Sequence, residues 1–246
     1  MKLTLAEPRF LKESITIISE LVNEAKFKVT KQAIELVAMD PANVAMVIFK
    51  LLSSSFIEYD VPEETTVSVN LSNLKQVLRR AKPTDMVTLT LEGEKLNIIL
   101  KGGSTTRTFS LPLIDVESRE QRVPELTFPV MINLAPDRFN DAIEDVDIVG
   151  ESVSLVADSE RFVVAAEGDM SKAHIEILPS EETRIEATEK VRARYSIEYL
   201  KKMVAAGKLA PHLTIRFNKD YPLKLEYILV DRLSMSFILA PRVENE

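Results

Sequence analysis

Laying Phe10 on Phe139 superimposes one half of this chain on the other. A helical period beginning near Pro8 then falls on one beginning near Asp137. Lys28-Val29-Thr30 through Met39-Asp40 falls on Ala157-Asp158-Ser159 through Gly168-Asp169, a hairpin ending in Asp in both halves. Leu74-Lys75 lies over Leu200-Lys201, Leu89-Thr90-Leu91 close to Ile215-Arg216-Phe217, and Phe109 over Phe237. The offset drifts by a few residues, as differing loops require. The order helix, strands, helix, strands thus occurs twice, which implies two homologous domains. With 246 residues, each half is long enough to bury a core of its own.

Inside each half the strand signals alternate one oily and one wet face. Examples are Lys26-Phe27-Lys28-Val29, Ile34-Glu35-Leu36, Val87 to Leu91, Leu96 to Leu100, Val153-Ser154-Leu155, Leu213 to Phe217 and Met235 to Leu239. Alternation of that kind belongs to antiparallel sheet with one covered face. Gly102-Gly103 reads as a hairpin turn. Helices are expected from about Pro8 to Val22, Ser72 to Ala81, Asp137 to Asp147 and Ile197 to Ala206. Pro8 suits a first helical position and Ser72 a cap. The expected inward stripes are Phe10, Ser14, Ile17, Ile18 and Leu21; Leu74, Val77 and Leu78; Phe139, Ala142, Ile143 and Val146; and Ile197, Leu200 and Val204. The fold class is α+β: two homologous domains of antiparallel sheet with helices on one face. Residues 1–114 form the first domain and residues 130–246 the second. Residues 115–129 are a polar connector made extended by Val123-Pro124 and Phe128-Pro129.

The inventory of reactive groups is thin. No cysteine is present, which excludes a disulfide framework, a thiol nucleophile and a cysteine-held metal. His174 and His212 have no second ligand at metal spacing and read as surface residues. The glycines form no phosphate cradle, no nucleophile elbow occurs, and Glu92, Glu94, Glu181 and Glu182 are turn carboxylates. We expect no catalytic residue, no metal and no cofactor. No apolar run approaches a membrane span and the N-terminus carries no signal-peptide pattern, so the expected location is cytoplasmic. The net charge of −7 argues against nucleic acid only if the 31 Lys and Arg are spread evenly.

Seven landmarks, in order along nearly the whole chain, resemble the sliding clamps of archaea and eukaryotes, the proliferating cell nuclear antigen family. They are Asn23-Glu24-Ala25, Ala38-Met39-Asp40-Pro41, Val69-Asn70-Leu71, Leu113-Ile114-Asp115-Val116, Val123-Pro124-Glu125, Pro222 to Tyr227 and Leu239 to Val243. Asp40-Pro41 and Thr106-Arg107-Thr108-Phe109 give the resemblance an archaeal character. The resemblance implies subunits joined head to tail in threes, helices lining a hole, sheets outside, and a DNA-bound, nucleoid-associated protein without catalysis. It also implies a processivity factor tethering PIP-box proteins such as DNA polymerase, flap endonuclease, DNA ligase and the clamp loader. The alternatives are a subunit of a heterotrimeric or checkpoint-type clamp, an α+β enzyme with a site motifs do not reveal, and a purely structural repeat protein.

Three sets of residues follow from that resemblance and from local pattern. Lys12, Lys75, Arg79, Lys201 and Lys202 sit on the wet faces of the helices and are the candidates for duplex DNA. Asp137, Asp141 and Asp145 repeat at helical spacing as one acidic stripe, while Arg80, Lys82 and Arg107 form a basic group in the other half. Unlike charges of this kind suit a head-to-tail homotrimer seam, although a solvated helix face is the plainer reading. Met39, Val44, Met46, Val123, Pro124, Pro222, Ile238, Ala240, Pro241 and Val243 are the candidates for a partner-peptide pocket. By residue type alone Met39, Val44 and Met46 are hairpin core; the connector and tail landmarks favour the pocket. Family members usually carry a basic residue near the position of Glu144, which is acidic here.

Overall fold

The structure, a computed structural model, describes residues 1–116 and 121–242. They fall into two compact units. The first is drawn from Met1–Pro41, Val47–Val123 and Leu229–Ser234, the second from Ala42–Met46, Pro124–Ile228 and Met235–Glu246.

The first unit runs β1 (Lys2–Leu5), α1 (Arg9–Ile18), β2 (Glu24–Val29), β3 (Ala33–Met39), β4 (Ala45–Leu52), β5 (Glu58–Asp60), β6 (Thr65–Asn70), α2 (Leu71–Leu78), β7 (Met86–Glu92), β8 (Lys95–Gly102) and β9 (Thr105–Pro112). The second repeats that order as β10 (Val130–Leu134), α3 (Pro136–Asp147), β11 (Ser152–Ala157), β12 (Phe162–Glu167), β13 (Lys172–Ile177), β14 (Arg184–Ala187), β15 (Val191–Ser196), α4 (Ile197–Val204), β16 (Leu213–Phe217), β17 (Leu223–Leu229) and β18 (Leu233–Leu239). Strand order is β5-β1-β7-β8-β9 and β4-β3-β2-β6 in the first unit. In the second it is β14-β10-β16-β17-β18 and β13-β12-β11-β15.

Period-two patterning explains the sheets. On β2, Ala25, Phe27 and Val29 are buried while Glu24, Lys26 and Lys28 face solvent. β16 and β11 alternate in the same way. The helices close the cores. In the second unit Phe139 of α3 lies 6.2 Å from Phe162, which lies 6.3 Å from Phe217. All three rings are fully buried, and each stabilises the unit by about 1.5–3 kcal/mol through area removed from water.

Two local expectations need correction. Ser72 is not the cap of α2: Asn70, the last residue of β6, accepts the Asn73 N–H at 3.0 Å. Phe10 is only partly covered, and Leu11 and Ile15 take the inward positions on α1. The helix begins at Arg9 after Pro8, which turns the stripe so that Leu11, Ser14, Ile15 and Ile18 meet the sheets, while Phe10 stays at the rim under the Arg9 guanidinium. The other three stripes are buried as expected, with Leu71 and Met203 added.

Candidate functional site

The helix faces turned away from the sheets hold the five DNA candidates, and four of them already have partners. In the first unit Lys75 of α2 reaches Glu20, just past α1, at 2.7 Å. Lys12 of α1 donates to the carbonyl of Ala81, just past α2, at 3.4 Å. Arg79 follows the last turn of α2 and is exposed. In the second unit Lys201 of α4 reaches Asp147, at the end of α3, at 2.5 Å. Lys202 pairs with Glu198 at 3.0 Å and lies over the Tyr199 ring, 5.2 Å from its centroid. A cross-helix lysine bridge therefore occurs at the same place in both helix pairs. Exposed pairs of this kind contribute about 0–1 kcal/mol, so the lysines can exchange a carboxylate for another anion at small cost.

The seam candidates differ in how committed they are. Asp137, Asp141 and Asp145 are exposed along α3, opposite the buried Phe139, Ala142, Ile143 and Val146. Arg80 and Lys82 are exposed beyond α2. Arg107 is turned inward: its guanidinium pairs with Asp85 and donates to the Arg80 carbonyl at 3.0 Å. Asp85 is almost wholly buried and also accepts the Lys82 N–H at 2.8 Å. A side chain at Gly102 would collide with it, the ideal Cβ lying 1.9 Å from Asp85 Oδ1. The Asp85–Arg107 tie is a feature that sequence reading missed, because no local pattern marks an Asp in a turn as buried. The edge strands β9 and β13 are each paired along one side.

The peptide-pocket candidates divide between the units. In the second, the Ala240 N–H donates to the Val44 carbonyl at 2.9 Å, so these two are neighbours. Met46 and Ile238 are 4% and 7% exposed, so both are buried rather than at the surface. Pro222, Ala240 and Pro241 are partly covered and Pro124 is exposed. In the first, Met39 ends β3 beside a cleft of about 370 Å³ that Val116 and Gln121 of the connector also line, and Val123 is exposed. Val243 lies outside the described residues.

The resolved shifts of largest size are on Tyr59, Tyr195 and Tyr227, all raised because burial disfavours the phenolate. No group of three metal-ligating side chains occurs among the described residues, and none of their helices is long and apolar enough to cross a membrane.

Comparison with known proteins decides the family. Residues 1–121 match the N-terminal domain of proliferating cell nuclear antigen and residues 122–242 its C-terminal domain. The chain belongs to the proliferating cell nuclear antigen family. A relative from Pyrococcus furiosus, named DNA polymerase sliding clamp, is 37% identical over 94% of this chain and 94% of its own. One of the same name from Nanoarchaeum equitans is 32% identical over 98% and 99%. A crystal structure of PCNA from Thermococcus kodakaraensis superimposes with a TM-score of 0.91 at 27% identity, covering 98% of this chain and 99% of that one. The fold is that of this family: two domains of antiparallel sheet carrying four helices.

Proposed function

We propose that the chain is a DNA polymerase sliding clamp, a non-catalytic processivity factor that closes as a homotrimer around duplex DNA. The observation that carries this reading is the duplicated helix-pair unit in a chain matching proteins of that name along 94% of its length. Topological linkage supplies persistence, so contacts with DNA need only be loose. Lys12, Lys75, Arg79, Lys201 and Lys202 are assigned to the phosphates. Lysine suits a sliding contact, since its ammonium has no fixed fork to lock onto one site. Asp137, Asp141 and Asp145 meet Arg80 and Lys82 of the next subunit in this reading, with Arg107 holding the basic corner in place. Exposed ion pairs are weak, so pairing of the edge strands β9 and β13 carries most of the seam.

The partner peptides are assigned to the pocket residues named above, with the Ile238, Met46 and Val44 cluster as its apolar floor. A PIP-box segment would present ring anchors there, and methionine adapts to different partners. The partners are then replication and repair enzymes of the nucleoid: polymerase, flap endonuclease, ligase and clamp loader.

The test is retention on DNA after loading by a clamp loader. On nicked circular DNA the protein should stay bound in high salt, and cutting the circle should release it. Equal retention on circular and linear DNA would contradict encirclement. Light scattering should show a trimer that high salt weakens; a monomer at micromolar concentration in low salt counts against the homotrimer and for a heterotrimeric subunit. Ile238→Glu should abolish binding of a PIP-box peptide while the trimer persists.

A further inference from the structure

The strands β14, β10, β16 and β17 present one buried face, where Ile132, Ile215 and Leu225 are fully covered. On the other face the register places Glu186, Met131, Arg216 and Lys224 in one row. The next row is Arg184, Asn133, Thr214 and Glu226. Charge is balanced at one end of these rows and not at the other. On β14, Glu186 pairs with Arg184, one charge for one. On β16 and β17, Glu226 pairs with Arg216 and also, at 2.9 Å, with Lys224. Two cations there share one carboxylate.

This corner is largely withdrawn from water. The Arg216 and Lys224 side chains are 30% and 27% exposed, and that of Glu226 is 16% exposed. Burial lowers the pKa of both cations, and Arg216 lowers that of Lys224 further, so pairing with Glu226 does not offset what the two lose in hydration. Arg216 also donates to the Met131 sulfur at 3.5 Å, a weak acceptor. An arginine and a lysine together carry more donors than one carboxylate and one thioether can accept. A cleft of about 380 Å³ opens over the group, walled on its apolar side by Leu126 and Phe128. The Phe128 ring stands edge-on to Tyr221 with centroids 5.8 Å apart, and the Tyr221 carbonyl accepts the Tyr195 hydroxyl at 2.8 Å. Pro222 follows Tyr221, and Lys224 lies two residues beyond it, about 6.8 Å along an extended chain. The cleft therefore adjoins one of the peptide-pocket residues.

We propose that this cleft takes a carboxylate side chain of the partner segment that docks at Pro222 and Ile238, an acidic residue flanking the apolar motif. The proposal rests on the peptide-pocket reading and adds a means of choosing among partners. An entering carboxylate brings the corner to two cations and two anions and supplies an acceptor for the donors of Lys224 and Arg216. Charge-assisted hydrogen bonds of this kind are among the stronger ones, and the Leu126 and Phe128 walls keep the contact away from bulk water, which strengthens it. A cationic flank meets the excess positive charge and is repelled, so the same two residues attract one class of partner and reject another.

The test is calorimetry with the whole chain and synthetic PIP-box peptides that differ only in one flanking residue. Glutamate, glutamine or lysine is placed in turn on either side of the motif. On one of the two flanks the glutamate peptide should bind about fivefold tighter than the glutamine peptide in low salt, and added salt should shrink that advantage. Lys224→Ala should remove the advantage and leave the glutamine peptide unchanged. Lys224→Glu should transfer it to the lysine peptide, a reversal that a merely destabilised variant would not produce. Ile238→Glu should abolish binding of all three. Equal affinity of the unaltered protein for glutamate and glutamine on both flanks, or an advantage that survives Lys224→Ala, overturns the proposal and leaves the pocket reading standing. If no peptide binds the unaltered protein, the pocket reading falls and the proposal falls with it.

Discussion

In the first unit Lys75 of α2 reaches across to Glu20; in the second Lys201 of α4 reaches across to Asp147. Both helix pairs carry such a bridge, in each case from the second helix to a carboxylate at or just past the end of the first. Their remaining charges differ. The first pair presents Lys12, Arg79 and Arg80 with Glu13, whereas α3 presents Asp137, Asp141, Glu144 and Asp145. The buried stripes are mainly apolar in both pairs while most exposed charges differ, as expected where packing constrains volume and solvent does not. On the clamp reading, attraction for phosphate therefore falls to α1, α2 and α4, and the acidic α3 is left for the seam.

The sharpest way to break this comparison is through the phenylalanines that the repeat superimposes. Phe139→Ala should cost about 3–5 kcal/mol, since the ring is fully buried between elements, while Phe10→Ala should cost under about 1 kcal/mol. Denaturant unfolding of both variants checks this, and equal losses would mean that the two helices are seated alike. Next in size is the Asp85–Arg107 tie of the first unit. Asp85→Ala leaves a partly buried guanidinium without its partner and should cost about 2–3 kcal/mol. Gly102→Ala should lower Tm too, by forcing the carboxylate aside.

The tyrosines give a smaller contrast. Tyr195 donates to the Tyr221 carbonyl at 2.8 Å, so Tyr195→Phe should lose about 1 kcal/mol. The Tyr227 hydroxyl is buried with no partner among the described residues, so Tyr227→Phe should be neutral or stabilising by calorimetry. Burial pushes Tyr59 up to about 12 and the other two further. Their folded values exceed the unfolded value of about 10, so stability is intact below pH 10 and falls as pH rises beyond it, with the second unit contributing more. A flat stability profile between pH 9 and pH 12 would refute the assignment of these hydroxyls as buried.

The smallest stability effect is predicted for Glu20→Gln with Asp147→Asn, about 0–1 kcal/mol. The same pair should tighten binding to duplex DNA and steepen its salt dependence, because both bridging lysines are released to the phosphates. Unchanged affinity and slope would remove Lys75 and Lys201 from the DNA surface.

Most of the element order was legible in the chain because the apolar periods of β2, β7, β8, β16 and α3 are clean. Where local cues were ambiguous, position in the fold decided. Ser72 and Asn70 are both good caps, and Asn70 is used because it is where β6 leaves its sheet and the backbone is still extended. The peptide-pocket assignment rests on resemblance alone, since Met46 and Ile238 look the same in sequence whether they floor a groove or fill a core.

Sequence by itself determined the twofold repeat, the antiparallel character of the sheets and the lack of any motif for catalysis. Each of these is written in residue type and spacing along one stretch of chain. The tertiary structure alone decided which charges are free to act. Arg107 looked available until the β8–β9 hairpin brought it to Asp85, and Lys75 and Lys201 until helix packing set them against Glu20 and Asp147. A charge's effect depends on what lies within a few ångströms of it, and those neighbours are brought from distant points in the chain.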